Sequence, residues 1–268
     1  MPATKSKSLS VALVPEKDLK DFSASNNILA TIFYGEGDST SLAQGYLQVA
    51  VSLPQLGKES RAEVWTSDLP HEANQYENIY YTANSEMVFG SISFQEIKTS
   101  SLEKLTLRAY KEIFEFLVQK QFPFLVRCWN YFPNINQETN GIERYKLFCA
   151  GRHNAFSEKY KQMEKYLPAA SAVGSKSGPL TINFIAARNH GGEHIENPRQ
   201  VSAYQYPTTY GKRSPSFARA TYMNWGSSKH LYLAGTASIV GYESRHFDNP
   251  LMQTQEIREN LDSLIFNC

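Results

Sequence analysis

The chain has 268 residues, 41% of them hydrophobic and 13% aromatic, which is enough apolar material for one large domain or two ordinary ones and too much for a disordered chain. A formal net charge of +1 and a pI of about 7.7 give no electrostatic case for nucleic acid or an anionic membrane as a partner. No apolar run approaches the roughly 18 residues of a membrane span, the start "MPATKSKSLS" has no apolar signal-peptide core behind it, and Cys128, Cys149 and Cys268 form no CxxC pair, so a cytoplasmic protein without disulfides or a zinc site is expected.

Residues 1–25 read as a polar arm. Strand-like runs follow at "ILATIFYG" (28–35), "GYLQVAVSL" (45–53), "AEVWTS" (62–67) and "MVFGSISF" (87–94), each β-branched or aromatic and bounded by Gly, Asn, Asp or Pro. Next comes the clearest helix. Ser100 with Glu103 makes a capping box, and Leu102, Leu105, Ala109, Ile113, Phe116 and Leu117 keep helical period to about Lys120. After Pro123, "FPFLVRCWNYF" reads as a strand that ends in the polar loop "PNINQETNG". A shorter helix over 142–150 is closed by Gly151 as a C′ residue, and a third helical stretch covers 156–167.

"PAASAVGSKSGP" (168–179), rich in small residues, reads as a connector between two units, 26–167 and 180–268. Beyond it strands are expected at "LTINFIAAR" (180–188), "RQVSAYQY" (199–206), "ATYMNW" (220–225) and "HLYLAGTASIV" (230–240). The last element is a helix over 249–265, with Asn249 as N-cap, Pro250 at the first helical position and Ile257, Leu261, Leu264 and Ile265 as a buried stripe.

"HGGEH" sets His190 and His194 around Glu193, but paired glycines argue against the helix on which such zinc ligands usually sit, and a polar loop is the simpler reading. "GSKSG" lacks the first Gly and the Gly-Lys pair of a phosphate loop, and no GxSxG elbow is present, so no cofactor and no metal is expected. Cys128 and Cys149 lie in apolar stretches and read as core.

The richest stretch is "ENPRQVSAYQYPTTYGKRSPSFARA" (196–220), which sets Arg199, Lys212, Arg213 and Arg219 among Tyr204, Tyr206, Tyr210 and Phe217. Guanidinium forks and phenol donors suit a planar or cyclic carboxylate, and cations between aromatics also suit single-stranded nucleic acid, against which the neutral overall charge weighs. An edge strand with solvated charges is the bland alternative. In "LAGTASIVGYESRH" (233–246), Gly235, Ala237 and Gly241 would let a ligand approach the backbone, or would merely relieve packing against the last helix.

At these residues the sequence resembles the chorismatases, through "AEVW" at 62, "ENIYYTANSEMVFGS" at 77, "RCWNYFPNIN" at 127, "GIERYKLFCAGR" at 141, "NPRQVSAYQYPTTYGKRSPSFARA" at 197 and "AGTASIVGYESRHFDNP" at 234. That family cleaves the enolpyruvyl ether of chorismate, giving pyruvate with either a dihydroxycyclohexadiene carboxylate, used as a macrolide starter unit in secondary metabolism, or a hydroxybenzoate. The resemblance implies an α/β fold of the α+β type, with two RidA-like halves of mostly antiparallel sheet packed by helices, and a pocket in the C-terminal half. It implies substrate binding by Tyr204, Tyr210, Arg213, Arg219, Gly235, Thr236 and Ala237, converging on one cavity.

Chorismatases continue past the helix that matches 250–265 with a strand, a helix and a strand, and carry there the glutamate thought to protonate the enolpyruvyl group and, in hydroxybenzoate producers, a nearby cysteine. Glu243, Glu256 and Glu259 do not match that glutamate, nor Cys268 that cysteine, so no catalytic residue is assigned. The second half is expected to be truncated, with self-association or a separate C-terminal polypeptide masking its edge. Chorismate is the expected small-molecule partner, with pyruvate release expected to be negligible. The other readings are a vestigial chorismate-binding protein and a RidA-like assembly protein.

Overall fold

The computed structural model of the chain describes residues 9–97, 100–207 and 211–267. Its first strands are β1 (Leu9–Pro15), β2 (Ile28–Tyr34), β3 (Ser39–Ala43), β4 (Tyr46–Val51) and β5 (Arg61–Ser67), with helix α1 (Leu19–Ser25) between β1 and β2. They form a five-stranded sheet of order β1-β5-β2-β4-β3, in which only β2 and β4 run parallel. There follow β6 (Glu72–Tyr76), β7 (Ile79–Ala83), β8 (Met87–Phe94), α2 (Leu102–Gln119), β9 (Phe124–Pro133), a small hairpin of β10 (Glu138–Thr139) and β11 (Ile142–Glu143), and α3 (Arg144–Lys159). With β12 (Ala169–Ser175) and β13 (Leu180–Ala187) these strands build a six-stranded sheet of order β12-β9-β13-β8-β7-β6. The rest is β14 (Glu193–Ile195), β15 (Ala220–Trp225) and β16 (Ser228–Leu233) in a three-stranded sheet, the short pair β17 (Ile239–Val240) and β18 (Glu243–Ser244), and α4 (Pro250–Phe266).

β13 organises the molecule. All of its residues are buried, because both faces of its sheet are covered. By strand alternation Ile182, Phe184 and Ala186 join the core beneath α2 and α3, while Ile185 and Ala187 join a second core with Leu29, Ile32, Leu47 and Val49 of the first sheet and Met223, Trp225 and Tyr232 of the third. The six-stranded sheet is thus the middle layer, with α2 and α3 on one side and the first and third sheets on the opposite side. Gly90 of β8 stands opposite Phe184 in register, and a Cβ there would fall 2.8 Å from ring carbon Cε1, so glycine gives the ring its place.

α2 buries Leu102, Leu105, Ala109, Ile113, Phe116 and Leu117, the stripe read from the sequence. Its N-cap is Ser101, whose Oγ accepts from Lys104 N at 3.3 Å, and not Ser100, whose hydroxyl instead exchanges bonds with the Ile97 backbone. α3 runs unbroken through Gly151, so this glycine does not end a helix, and only a 3-10 turn, Met163–Tyr166, follows it. At Gly151 a Cβ would meet the Glu103 carbonyl oxygen and approach Thr106 Cβ to 2.8 Å; it is the crossing point of α2 and α3. The loop "PNINQETNG" contains β10 and the turn of its hairpin with β11, made by Asn140 and Gly141, both at positive φ.

The mixed α/β class with mostly antiparallel sheets agrees with expectation, but the boundaries need correction. The stretch 168–179 is not a connector: most of it is β12, paired parallel to β9, and β13 pairs with β8 and β9, so 168–187 belongs to the sheet of the first half. Sheet hydrogen bonds, which need the partner strand to be known, override the small-residue composition. The N-terminal arm contains β1 and α1, with residues 1–8 outside the described set. The stretch 199–206 is no strand; it makes a single bridge, Gln200 to Gly241, and a 3-10 turn, Ala203–Gln205. α4 begins as expected, Asn249 Oδ1 accepting from Met252 N at 3.1 Å, but its apolar stripe is not buried as a stripe. Leu264 is buried, Ile257 and Leu261 are half-buried, and Ile265 is exposed. The wholly buried residue at the centre of its contact is Asn260.

Candidate functional site

A cavity of about 590 Å³ lies between α3, β12, Tyr206 with the 213–219 stretch, and the backbone of 235–239. α3 contributes Tyr145, Cys149 and Arg152, spaced i, i+4 and i+7 on one helical face. β12 contributes a floor of Ala170, Ser171, Ala172 and Val173. The third wall is fixed by backbone bonds: Ala218 N donates to Pro168 O at 3.1 Å, Ala234 N to Arg219 O at 2.8 Å and Gly235 N to Ala170 O at 3.2 Å. A Cβ on Gly235 would press on Ser171 Oγ at 3.3 Å, so glycine lets this segment close on β12.

The walls are rich in cations. Arg219 is 4% exposed; its Nη2 donates to Val201 O and to Tyr206 Oη, each at 2.8 Å, and its guanidinium lies 5.3 Å from the Phe217 ring centre. Arg152 is 3% exposed and lies 5.0 Å from the Tyr110 ring centre and 5.3 Å from that of Phe156. Arg213 and Lys146 complete the positive lining, and Glu143, 3.7 Å from Lys146, is the carboxylate among the lining residues. Behind the floor Arg127 donates to Ser171 Oγ at 2.6 Å, and burial pulls its pKa down to about 10. Among the described residues no salt bridge joins Arg127, Arg152, Arg213 or Arg219 to a carboxylate. Arg152 Nε and Nη2, Arg219 Nε and Thr236 Oγ1 are buried with no hydrogen-bond partner among the described residues. Buried cations without counter-ions cost several kcal/mol each, and an anion in the cavity would offset that cost. Burial pushes the Cys149 thiol up to about 12 and the Tyr145 hydroxyl well above its ordinary range, so both keep their protons at neutral pH. Burial also raises the carboxyl of Glu196, whose Oε1 accepts from Arg219 N at 3.4 Å.

Of the residues expected from sequence, Arg213, Arg219, Gly235, Thr236 and Ala237 line the cavity together. Tyr204 does not: its ring packs against the helix-side core and its carbonyl accepts from Ser214 Oγ at 2.8 Å. A turn rather than a strand carries it, so Tyr206 takes the place beside Arg219. Tyr210 lies outside the described residues. Sequence reading missed Tyr145, Cys149, Arg152 and Ser171; the i, i+4, i+7 spacing on α3 was available but was broken by taking Gly151 as a helix end. Glu256 and Glu259 bind Arg199, and Glu243 pairs with Arg245, all outside the cavity. Among the described residues no group of His, Cys, Asp and Glu could hold a metal ion, and no helix is long and apolar enough to cross a membrane.

Residues 63–186, from β5 to β13, match the family model described as Chorismatase FkbO/Hyg5-like, N-terminal. A 3-hydroxybenzoate synthase of Streptomyces hygroscopicus is 34% identical over 245 residues, 89% of this chain and 71% of the relative. A chorismatase of the same organism is 31% identical over 247 residues, 91% of this chain and 71% of the relative. The crystal structure of a chorismatase superposes with a TM-score of 0.87 at 30% identity, covering 97% of this chain and 78% of the other. With relatives this similar along most of its length, and with a solved chorismatase sharing its fold, the chain belongs to the chorismatase family.

Proposed function

We propose that the cavity binds chorismate. The carrying observation is the set of buried arginines, Arg152 and Arg219 above all, that line it without a carboxylate partner among the described residues. Chorismate is a cyclohexadiene carrying a ring carboxylate and a second carboxylate on its enolpyruvyl ether. Two separated anions suit cations on two walls, α3 on one side and the 213–219 stretch on the other, while Phe148, Phe217 and Ile239 offer apolar contact to the ring. A volume of about 590 Å³ also suits a single small ligand. The names of the relatives, a chorismatase and a 3-hydroxybenzoate synthase, support the same substrate.

Cleaving the enolpyruvyl ether requires more than binding. A proton must reach the terminal methylene carbon, and a positioned general acid contributes roughly 10²–10⁴-fold. Holding ground and transition states equally well does not raise that rate. Calorimetric titration of the full chain with chorismate tests recognition, and a coupled assay for pyruvate then separates binding from cleavage. Arg219→Ala and Arg152→Ala should each weaken binding by the roughly 1.5–3 kcal/mol of a charge-assisted hydrogen bond, at least tenfold. No binding by the wild type, or unchanged affinity in both variants, would refute the assignment.

A further inference from the structure

We propose that Asn260 is a positioning residue for the cavity, acting through the backbone of Ala237 and Ile239; its effect on ligand affinity rests on the chorismate reading above. Asn260 is wholly buried in a helix whose neighbouring residues are mostly exposed or half-buried. Its Nδ2 donates to Ala237 O at 3.1 Å and to Ile239 O at 2.9 Å. Its Oδ1 accepts from Arg199 Nη1 at 3.0 Å, and its own carbonyl accepts from Asn197 Nδ2 at 2.9 Å. A side-chain amide has two N–H donors, and both are used on carbonyls of residues that line the cavity.

The segment they hold is otherwise tied at scattered points, among them Arg245 N to Ser238 O at 2.7 Å and Ser238 Oγ to Arg245 O at 3.0 Å. Residues 234–238 leave β16 without entering another ladder, and β17 begins only at Ile239. Gly235 N is tied to Ala170 O, and Ile239 N turns back to Ala237 O at 2.8 Å. Gln200 Nε2 adds one bond to Ile239 O at 3.1 Å. Asn260 therefore ties Ala237, which lies in no strand, to Ile239 at the start of β17, and sets how far Thr236 and Ala237 project toward Arg219. A buried amide is costly unless fully bonded, and an apolar side chain would dock α4 as well but could not hold two carbonyls. Arg199 braces the same helix through Glu256 and Glu259, neither of which lines the cavity.

The test uses the full chain and compares Asn260→Ala with Glu259→Gln, which weakens the Arg199 brace of α4 but leaves the Asn260 amide in place. Hydrogen exchange is followed at 235–241 and at β13, with chorismate affinity measured in parallel. In Asn260→Ala, exchange at 235–241 should rise at least tenfold with β13 unchanged, and affinity should fall about tenfold. In Glu259→Gln both should stay within about twofold of wild type. Global loosening would speed β13 as well and would overturn the proposal, as would unchanged exchange at 235–241. Faster exchange with unaltered affinity would also overturn it. If the wild type itself fails to bind chorismate, the chorismate reading falls, and the exchange comparison alone decides whether Asn260 positions this wall.

Discussion

Replacing Gly151 by Ala tests how α3 is seated and, with it, how Arg152 reaches the cavity. In an isolated helix interior this change stabilises by about 1 kcal/mol. Here the new methyl would run into the Glu103 carbonyl oxygen and stand 2.8 Å from Thr106 Cβ. Neither neighbour moves easily. Glu103 lies in the first turn of α2, and Thr106 is wholly buried with its hydroxyl bonded to Leu102 O at 2.8 Å. Overpacking against a fixed wall costs about 1–3 kcal/mol, and a backbone obstacle argues for the upper end. The opposing terms leave a net loss of about 2 kcal/mol, or about 4–8 °C in Tm for a chain of this size. Because Arg152 is the next residue, parting the helices should weaken chorismate binding too. The assay is denaturant unfolding followed by tryptophan fluorescence, with a parallel titration. A Gly151→Ala variant as stable as wild type, or more so, would show that propensity outweighs the contact and that α2 and α3 do not meet at this glycine.

Ile113→Ala, at a residue with no exposure in the helix-side core, should cost about 2–5 kcal/mol, read as a lower urea midpoint at constant slope. Asn249→Ala removes the acceptor for Met252 N and should cost α4 about 1 kcal/mol, seen as faster exchange in its first turn while β13 is unaffected. Burial lowers the pKa of His71, His153, His194 and His230 in the folded protein. The unfolded chain then binds more protons just below its own histidine pKa of about 6.5, so stability should be complete above that pH and fall as pH drops through it. Glu196 opposes this, one raised carboxyl against four lowered imidazoles. Urea unfolding at about pH 7.5 and pH 5.5 checks the sign, and equal or greater stability at the lower pH would contradict it.

Sequence alone determined what depends on neighbours along the chain. β2, β4, β5, β8 and β13 fall where β-branched and aromatic runs are bounded by turn residues, and α2 and the start of α4 follow apolar period and an Asn-Pro start. Those signals are local, since periodicity reports which face is buried whatever buries it. That Arg213, Arg219 and 235–237 share one cavity was legible only through the resemblance to the chorismatases, since their meeting is a tertiary contact. Tertiary structure decided the rest. It made a strand of 169–175, where weak strand formers are held by pairing to β9. It kept α3 helical through Gly151, because close approach of α2 requires a missing side chain there. It placed Tyr206 rather than Tyr204 in the cavity, and it turned the face of α4 toward Asn260 instead of an apolar stripe. Each of these depends on a partner distant in sequence, so no local pattern could encode it.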